Sequence, residues 1–350
     1  MKAILIGNRE RFEKFYPNTE FANAVEKIYL TMEEVGQALS GQPGQKLSEQ
    51  TISMNATQQR LLEARDAQFL AADAIAKVPE SLIAQLPDLK IIHSEGVAYN
   101  GIDCAAAAKR GIYVCNNRGV NADAVAEQTI LLMLGLLRDV TAGDRAVRAG
   151  EQILRKESMM VNGITELGEC RIGLIGFGDI AKAVAKRLEP FGCEVFYNAT
   201  HRKSAEDEAN YHVSWMERQE MLSACDIISI HVPVTPDTVG MVDEAFLRAM
   251  RPNALLINTA RGEMVDNEAL GRALNEGWIA GAGLDTVAPE PVTADHPLLG
   301  LSVEAESRLL FSPHIGGVTT GVFRKGHRNI WTAFERVSRG ERPANIVNGL

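Results

Sequence analysis

No run in this chain is long and apolar enough to cross a bilayer. The most hydrophobic segment, ILLMLGLL at 130–137, falls far short of the ~20 residues a span requires. The N-terminal MKAILIGNRERFEKF meets charges too soon for a secretory signal. Cysteine is scarce: Cys104, Cys115, Cys170, Cys193 and Cys225 are odd in number and form no C-x-x-C pair. They suggest neither a disulfide framework nor a zinc site, and fit a reducing cytoplasm. No H-E-x-x-H or comparable ligand spacing occurs, so no metal is expected. Positive charge is not in excess either. A formal net charge of −9 argues against nucleic acid as the main ligand and leaves local basic patches as the places to expect anions.

What is present is ordinary globular material, 350 residues at 46% hydrophobic, enough for two domains. The first third alternates strand-like and helix-like runs: KAILIG, a polar region containing SGQPGQ, AQFLAA, VPESLIAQLP and LKIIHS. After Asn121, a candidate N-cap, ADAVAEQTILLMLGLLRDV reads as one long helix, apolar around much of its circumference and therefore buried or in an interface. A domain hinge is expected just before it. From Arg171 the runs IGLIG, EVFY, DIISIHV, ALLIN, AGAGLD and LLFS recur with the rhythm of a doubly wound parallel sheet. RNIWTAFERVSRG suggests a closing helix and RPANIVN a last extended segment.

GLIGFGDIAKAVAKRL places Gly176, Gly178 and Ala181 in G-x-G-x-x-A spacing between a strand and a helix. Gly176 would permit the tight turn, Gly178 the approach of a pyrophosphate, and Ala181 close helix–strand packing. Alone the motif leaves nicotinamide, flavin and S-adenosylmethionine open. Three polar residues follow three apolar strands: Arg261, Glu290 and His314. At the carboxyl ends of parallel strands they would meet as an anion anchor, a carboxylate partner and a proton donor, the set that reduction of a 2-oxo acid needs. A carboxylate beside the imidazole would favour its protonated form. Five other histidines, His93, His212, His231, His296 and His327, show no comparable partner in the sequence. The second strand lacks an acid where adenosine ribose would be held, 22 positions after Gly176 (198 − 176). Asn198 stands there instead, followed by Thr200, His201, Arg202 and Lys203. These groups suit a 2′-phosphate and predict a preference for NADP(H), with NAD(H) possible. Glu206, Asp207 and Glu208 follow and would pair with the cations if the stretch were only a surface turn.

Together GLIGFGDIA, INTARGEMVD, GLDTVAPEPV, DHPLL and SPHIGG, with PDLKIIHSEGVAYNGID, AAKRGIYVCN, NADAVAE and ANIVN, resemble the D-isomer-specific 2-hydroxyacid dehydrogenases over about residues 67–348. The resemblance implies two α/β domains: a Rossmann cofactor domain at 122–316 inserted into a discontinuous flavodoxin-like substrate domain, 1–121 with 317–350. Catalysis would sit in the cleft. It implies that Arg261 binds the substrate carboxylate, that His314 is the acid/base and Glu290 its partner, and that the Val97 and Ala98 N–H groups hold the carboxylate. Asp285 would face the nicotinamide carboxamide, with further cofactor contacts at Asp179, Ile180, Val232, Pro233, Thr259, Ala260, His314 and Gly316. The substrate would be a small 2-oxo acid such as glyoxylate or hydroxypyruvate, with phenylpyruvate and phosphoglycerate-type acids also open. The segment at 122–140 resembles the one used for dimerisation. Ala98 in place of a usual glycine and Arg118 in place of a common proline would reshape the substrate loop. A dinucleotide-responsive regulatory protein on the same fold is the competing expectation.

Overall fold

Short runs of aliphatic and β-branched residues, apolar on both faces, form strands covered by helices on both sides. In the computed structural model, which describes residues 1–39 and 56–350, they are β1 (Lys2–Ile6), β2 (Glu26–Leu30), β3 (Phe69–Ala72), β4 (Ile91–Ser94), β5 (Tyr113–Cys115), β6 (Arg171–Ile175), β7 (Glu194–Asn198), β8 (Val213–Trp215), β9 (Ile227–Ile230), β10 (Leu255–Asn258), β11 (Gly281–Leu284) and β12 (Leu309–Phe311). Every ladder between them is parallel. The chain divides into two compact units, Met1–Val120 with Thr320–Leu350, and Asn121–Thr319. The crossings thus fall after Val120 and Thr319 rather than after 121 and 316.

In the first unit the sheet order is β2-β1-β3-β4-β5, reversing between β1 and β3. Alternation along β1 sends Ile4 and Ile6 to one face and Ala3 and Leu5 to the other. The second face is closed by the helix Thr320–Ser338, whose buried Phe334 stacks on Phe69 with ring centroids 5.0 Å apart. In the second unit the order is β12-β11-β10-β9-β6-β7-β8, reversing between β6 and β9. These are the flavodoxin-like and Rossmann windings, the two doubly wound α/β domains the sequence implies, and each offers a crevice at the carboxyl ends of its strands.

Several local expectations are corrected. The apolar run after Asn121 is broken into Ala122–Leu137 and Val140–Arg148 by Asp139, which adopts a left-handed conformation. Asn121 occupies the N-cap position without a side-chain capping bond. Ile130, Leu132 and Met133 are buried against their own sheet, so 130–137 is mainly core and only Leu131 stays well exposed. The uncovered apolar side chains lie further on: Val140, Val147, Ile153, Leu154, Met160 and Val161 are exposed on Val140–Arg148 and Gln152–Asn162. RPANIVN, expected as a last extended segment, lies beside β5 through an isolated antiparallel bridge, Cys115 to Ile346. The edge strands β2 and β8 went unread because β2 is largely half-exposed with charges in it and β8 has three residues. The SGQPGQ stretch lies outside the described residues.

Candidate active site

The glycine turn after β6 is fixed by sterics. Gly176 has φ +94°, and a Cβ there would lie 2.5 Å from the His231 carbonyl oxygen; its N–H donates to the Asn198 carbonyl at 2.7 Å. Gly178, before the helix Asp179–Leu188, has nothing within 4 Å of where a Cβ would be. Backbone open at a helix N-terminus is the cradle a pyrophosphate requires. Ala181 is fully buried against the sheet. Asp179 and the half-buried Ile180 begin that helix, while Val232 and Pro233 follow β9.

At the carboxyl end of β10, the buried Asn258 works in both directions. Its Nδ2 donates to the Arg261 carbonyl at 2.8 Å and its Oδ1 accepts from the Ala260 N–H at 3.0 Å. Thr259 is buried and bonds Thr129 at 2.9 Å. Arg261 is exposed, and its Nη1 donates to the Ala260 carbonyl at 2.7 Å. The next residue, Gly262, has no room for a side chain: a Cβ would meet the Ala288 nitrogen at 2.2 Å. That contact presses the Arg261 loop onto the loop carrying Glu290. The Ala288 carbonyl is held in turn by Asn267 Nδ2 at 2.7 Å and His296 Nε2 at 3.0 Å.

Glu290 and His314 are brought together. His314 Nδ1 lies 3.0 Å from each Glu290 oxygen, both side chains being part exposed. With a carboxylate opposite it, Nδ1 carries the proton and donates, which leaves Nε2 as the outward working atom. His314 has φ +54°. This left-handed turn aims successive N–H groups at Asp285: that of His314 reaches the Asp285 carbonyl at 2.8 Å, those of Ile315 and Gly316 its carboxylate at 3.0 and 2.8 Å. Ser312 Oγ donates to the same carboxylate and receives Gln128 Nε2 at 2.8 Å. The buried Asp285 thus anchors the His314 turn, with three of its roughly four acceptor positions used.

At the end of β7, Asn198 Nδ2 donates to the Met216 carbonyl at 2.9 Å. His201 and Arg202 are exposed and Lys203 is half-buried. Arg202 engages Glu208 by one edge of its fork, Nε to Oε1 at 3.0 Å and Nη2 to Oε2 at 3.1 Å. Arg202, then the Tyr197 hydroxyl, holds the Glu208 carboxyl below its usual range. In the first unit, Val97 and Ala98 follow β4, their carbonyls accepting from Asn116 Nδ2 at 2.7 Å and Ser94 Oγ at 2.5 Å.

The histidines set aside in the sequence do have partners. His327 Nε2 is 2.7 Å from Glu95 Oε1, His231 Nε2 is 2.9 Å from Ser229 Oγ, His212 pairs with Glu189 at 3.2 Å, and His93 Nδ1 donates to the Ser94 carbonyl at 2.7 Å. Burial pushes His93 and His231 down to about 4. The bonds that bring in distant chain, His327 to Glu95 and His212 to Glu189, could not be read from sequence spacing, nor could that of His296 to Ala288, which depends on the loop between them. Gly262 and Asn267, which meet the Ala288 loop, went unread for the same reason, and Asn258 because its bonds to Ala260 and Arg261 depend on the turn of its own loop. Among the described residues no group of three or more His, Cys, Asp or Glu could hold a metal ion.

A Rossmann sheet with an open glycine turn and an imidazole–carboxylate pair after its carboxyl-end strands is the equipment of a nicotinamide-dependent dehydrogenase. Residues 130–316 match the model of the D-isomer specific 2-hydroxyacid dehydrogenase NAD binding domain. The chain is 38% identical to a glyoxylate reductase of Thermococcus litoralis, over 82% of this chain and 86% of that relative. It superposes with TM-score 0.75 on an NADPH-dependent glyoxylate/hydroxypyruvate reductase of Sinorhizobium meliloti, 25% identical, covering 99% of this chain and 98% of that one. A TM-score of 0.79 to a D-mandelate dehydrogenase of Rhodotorula graminis, 24% identical with 99% and 97% covered, shows the shared fold. The chain belongs to the D-isomer specific 2-hydroxyacid dehydrogenase family. It is an NAD(P)-dependent oxidoreductase that transfers a hydride between a nicotinamide cofactor and 2-oxo acids.

Proposed function

We propose that this enzyme reduces glyoxylate to glycolate and hydroxypyruvate to D-glycerate, with NADPH favoured over NADH. The observation that carries the chemistry is the His314–Glu290 pair, 3.0 Å from Nδ1 to both oxygens. The substrate range is supported by the relatives' activities. A nicotinamide cofactor held at the glycine turn would supply the hydride for the carbonyl carbon. His314 delivers a proton from Nε2 to the carbonyl oxygen, completing the 2-hydroxy acid. Glu290 holds Nδ1–H, fixing the ring and balancing its charge before transfer. Arg261 leaves the Ala260 carbonyl for the substrate carboxylate, and the Val97 and Ala98 N–H groups are assigned to that carboxylate as well. Gly176, Gly178, Asp179 and Ile180 would hold the pyrophosphate. Val232, Pro233, Thr259, Ala260, Asp285 and Gly316 would line the rest of the cofactor, and the acceptor position left on Asp285 would take the carboxamide.

The NADPH preference rests on Asn198, which cannot repel a phosphate as an acid would, and on His201, Arg202 and Lys203. Glu208 occupies only one edge of the Arg202 fork, so Nη1 with the remaining Nη2 hydrogen stays available for a second bidentate contact. We assign the enzyme to a reducing cytoplasm, where its buried thiols, Cys115 and Cys225 pushed up to about 12, would be inert. The test is kcat/KM for NADPH and NADH with glyoxylate and hydroxypyruvate, in wild type and in Arg202→Ala with Lys203→Ala. A wild-type NADPH preference that collapses in the double variant is expected. Equal use of both cofactors, or a preference the variant leaves untouched, removes the phosphate site. Cofactor binding without turnover of any 2-oxo acid would favour a dinucleotide-responsive regulator.

A further inference from the structure

The loop after β4 is held from behind. The Glu95 carbonyl accepts from Asn117 Nδ2 at 2.8 Å, Gly96 from the Asn117 N–H at 2.9 Å, Val97 from Asn116 Nδ2 and Ala98 from Ser94 Oγ. Four successive carbonyls are engaged, while among the described residues the Val97 and Ala98 N–H groups have no acceptor. Consecutive free N–H groups on a pinned loop form an anion receptor.

The root of this loop carries a buried charge that its backbone does not require. The Glu95 carboxylate receives Arg11 Nε at 2.8 Å, Arg11 Nη2, and His327 Nε2 at 2.7 Å. Arg11 Nη2 also reaches Asp73, the residue after β3. The Glu95 and His327 side chains are 4% and 1% exposed. Arg11 comes from the helix Arg9–Lys14 and His327 from Thr320–Ser338, so two helices grip one carboxylate two residues before Val97. His327 Nδ1 is buried without a partner among the described residues, so Nε2 is the ring atom that holds Glu95. Such a cluster is poor value as stability, since apolar residues of similar volume commonly do as well once desolvation is counted. What it provides is geometry.

We propose that Arg11 and His327 are positioning residues for the reaction: by clamping Glu95 they fix the orientation in which the Val97 and Ala98 N–H groups receive the substrate carboxylate. This rests on the assignment of those N–H groups to the substrate. The experiment compares His327→Leu, which removes the donor, with His327→Gln, which keeps one near the Nε2 position. In His327→Leu, KM for glyoxylate should rise about tenfold, the scale of one misaligned hydrogen bond. Its kcat and its KM for the nicotinamide cofactor should stay within about twofold. Amide hydrogen exchange at Glu95 and Asn117, whose N–H groups donate to the Ala72 and Gly96 carbonyls at 2.7 and 2.9 Å, should quicken as the loop loosens. His327→Gln should restore the glyoxylate KM. A folded His327→Leu with unchanged glyoxylate KM and unchanged exchange overturns the proposal, as does an equal rise in both KM values. If His327→Leu does not fold, Glu95→Gln, which keeps the shape but removes the charge Arg11 grips, is read by the same measurements. Should wild type reduce no 2-oxo acid, the substrate reading fails, and exchange at Glu95 and Asn117 alone decides the clamp.

Discussion

His314 holds a backbone conformation that costs a non-glycine residue of order 1 kcal/mol or more, and the Asp285 bonds to its loop offset that cost. The arrangement explains how an imidazole on a loop is kept in one orientation. Its Nδ1 faces Glu290, and its backbone cannot relax without exposing a buried carboxylate. His93 illustrates a different residue-scale effect. It is fully enclosed, donates Nδ1–H to the Ser94 carbonyl, and burial lowers it from 6.5 to about 4. The folded chain therefore resists a proton that the unfolded chain accepts between those values. Stability from this group is complete above about pH 6.5 and is lost as pH falls toward 4, by an amount of order 3 kcal/mol. His93→Asn keeps a donor in place of Nδ1 and removes the titration. Denaturant unfolding across pH 4–6.5 should show a shallower slope in the variant; identical slopes would mean that His93 is not the group responsible.

At the scale of elements, the loops after β10 and β11 behave as one piece because Gly262 lets backbone lie on backbone. Gly262→Ala brings a methyl to 2.2 Å from the Ala288 nitrogen, so the two loops must separate. With Arg261 and Glu290 on opposite sides of that contact, kcat should fall by about tenfold or more while cofactor affinity is retained. Wild-type kcat in the variant would show that the loops move independently. The same contact explains how far the sequence could be read. The glycine turn, the strands with apolar residues on both faces and the three polar residues behind strands were visible because each is written in consecutive residues. Gly262, Asn267 and the His327–Glu95 pair were not, since their meaning depends on contacts across many residues, 232 in the last case, and Asn258 was not because its bonds to Ala260 and Arg261 exist only in the folded turn. The break at Asp139 was missed because apolar content continues through it, although the side chains beyond it point to solvent rather than core.

For the whole molecule, the exposed Val140, Val147, Ile153, Leu154, Met160 and Val161 form more apolar surface than two helices ordinarily leave in water. We propose that a second copy covers it, giving a homodimer joined through the cofactor domains. Light scattering at micromolar concentration should give a dimer, and Leu154→Glu with Val161→Glu should shift it to monomer. A wild-type monomer refutes the interface. We propose that His314, oriented by Glu290, supplies the proton in reduction of a 2-oxo acid. It is tested most directly by following NADPH oxidation with glyoxylate in wild type and His314→Ala, alongside cofactor affinity measured by titration. Turnover should fall by about 10²- to 10⁴-fold with cofactor affinity little changed. Near-wild-type kcat in His314→Ala would contradict it.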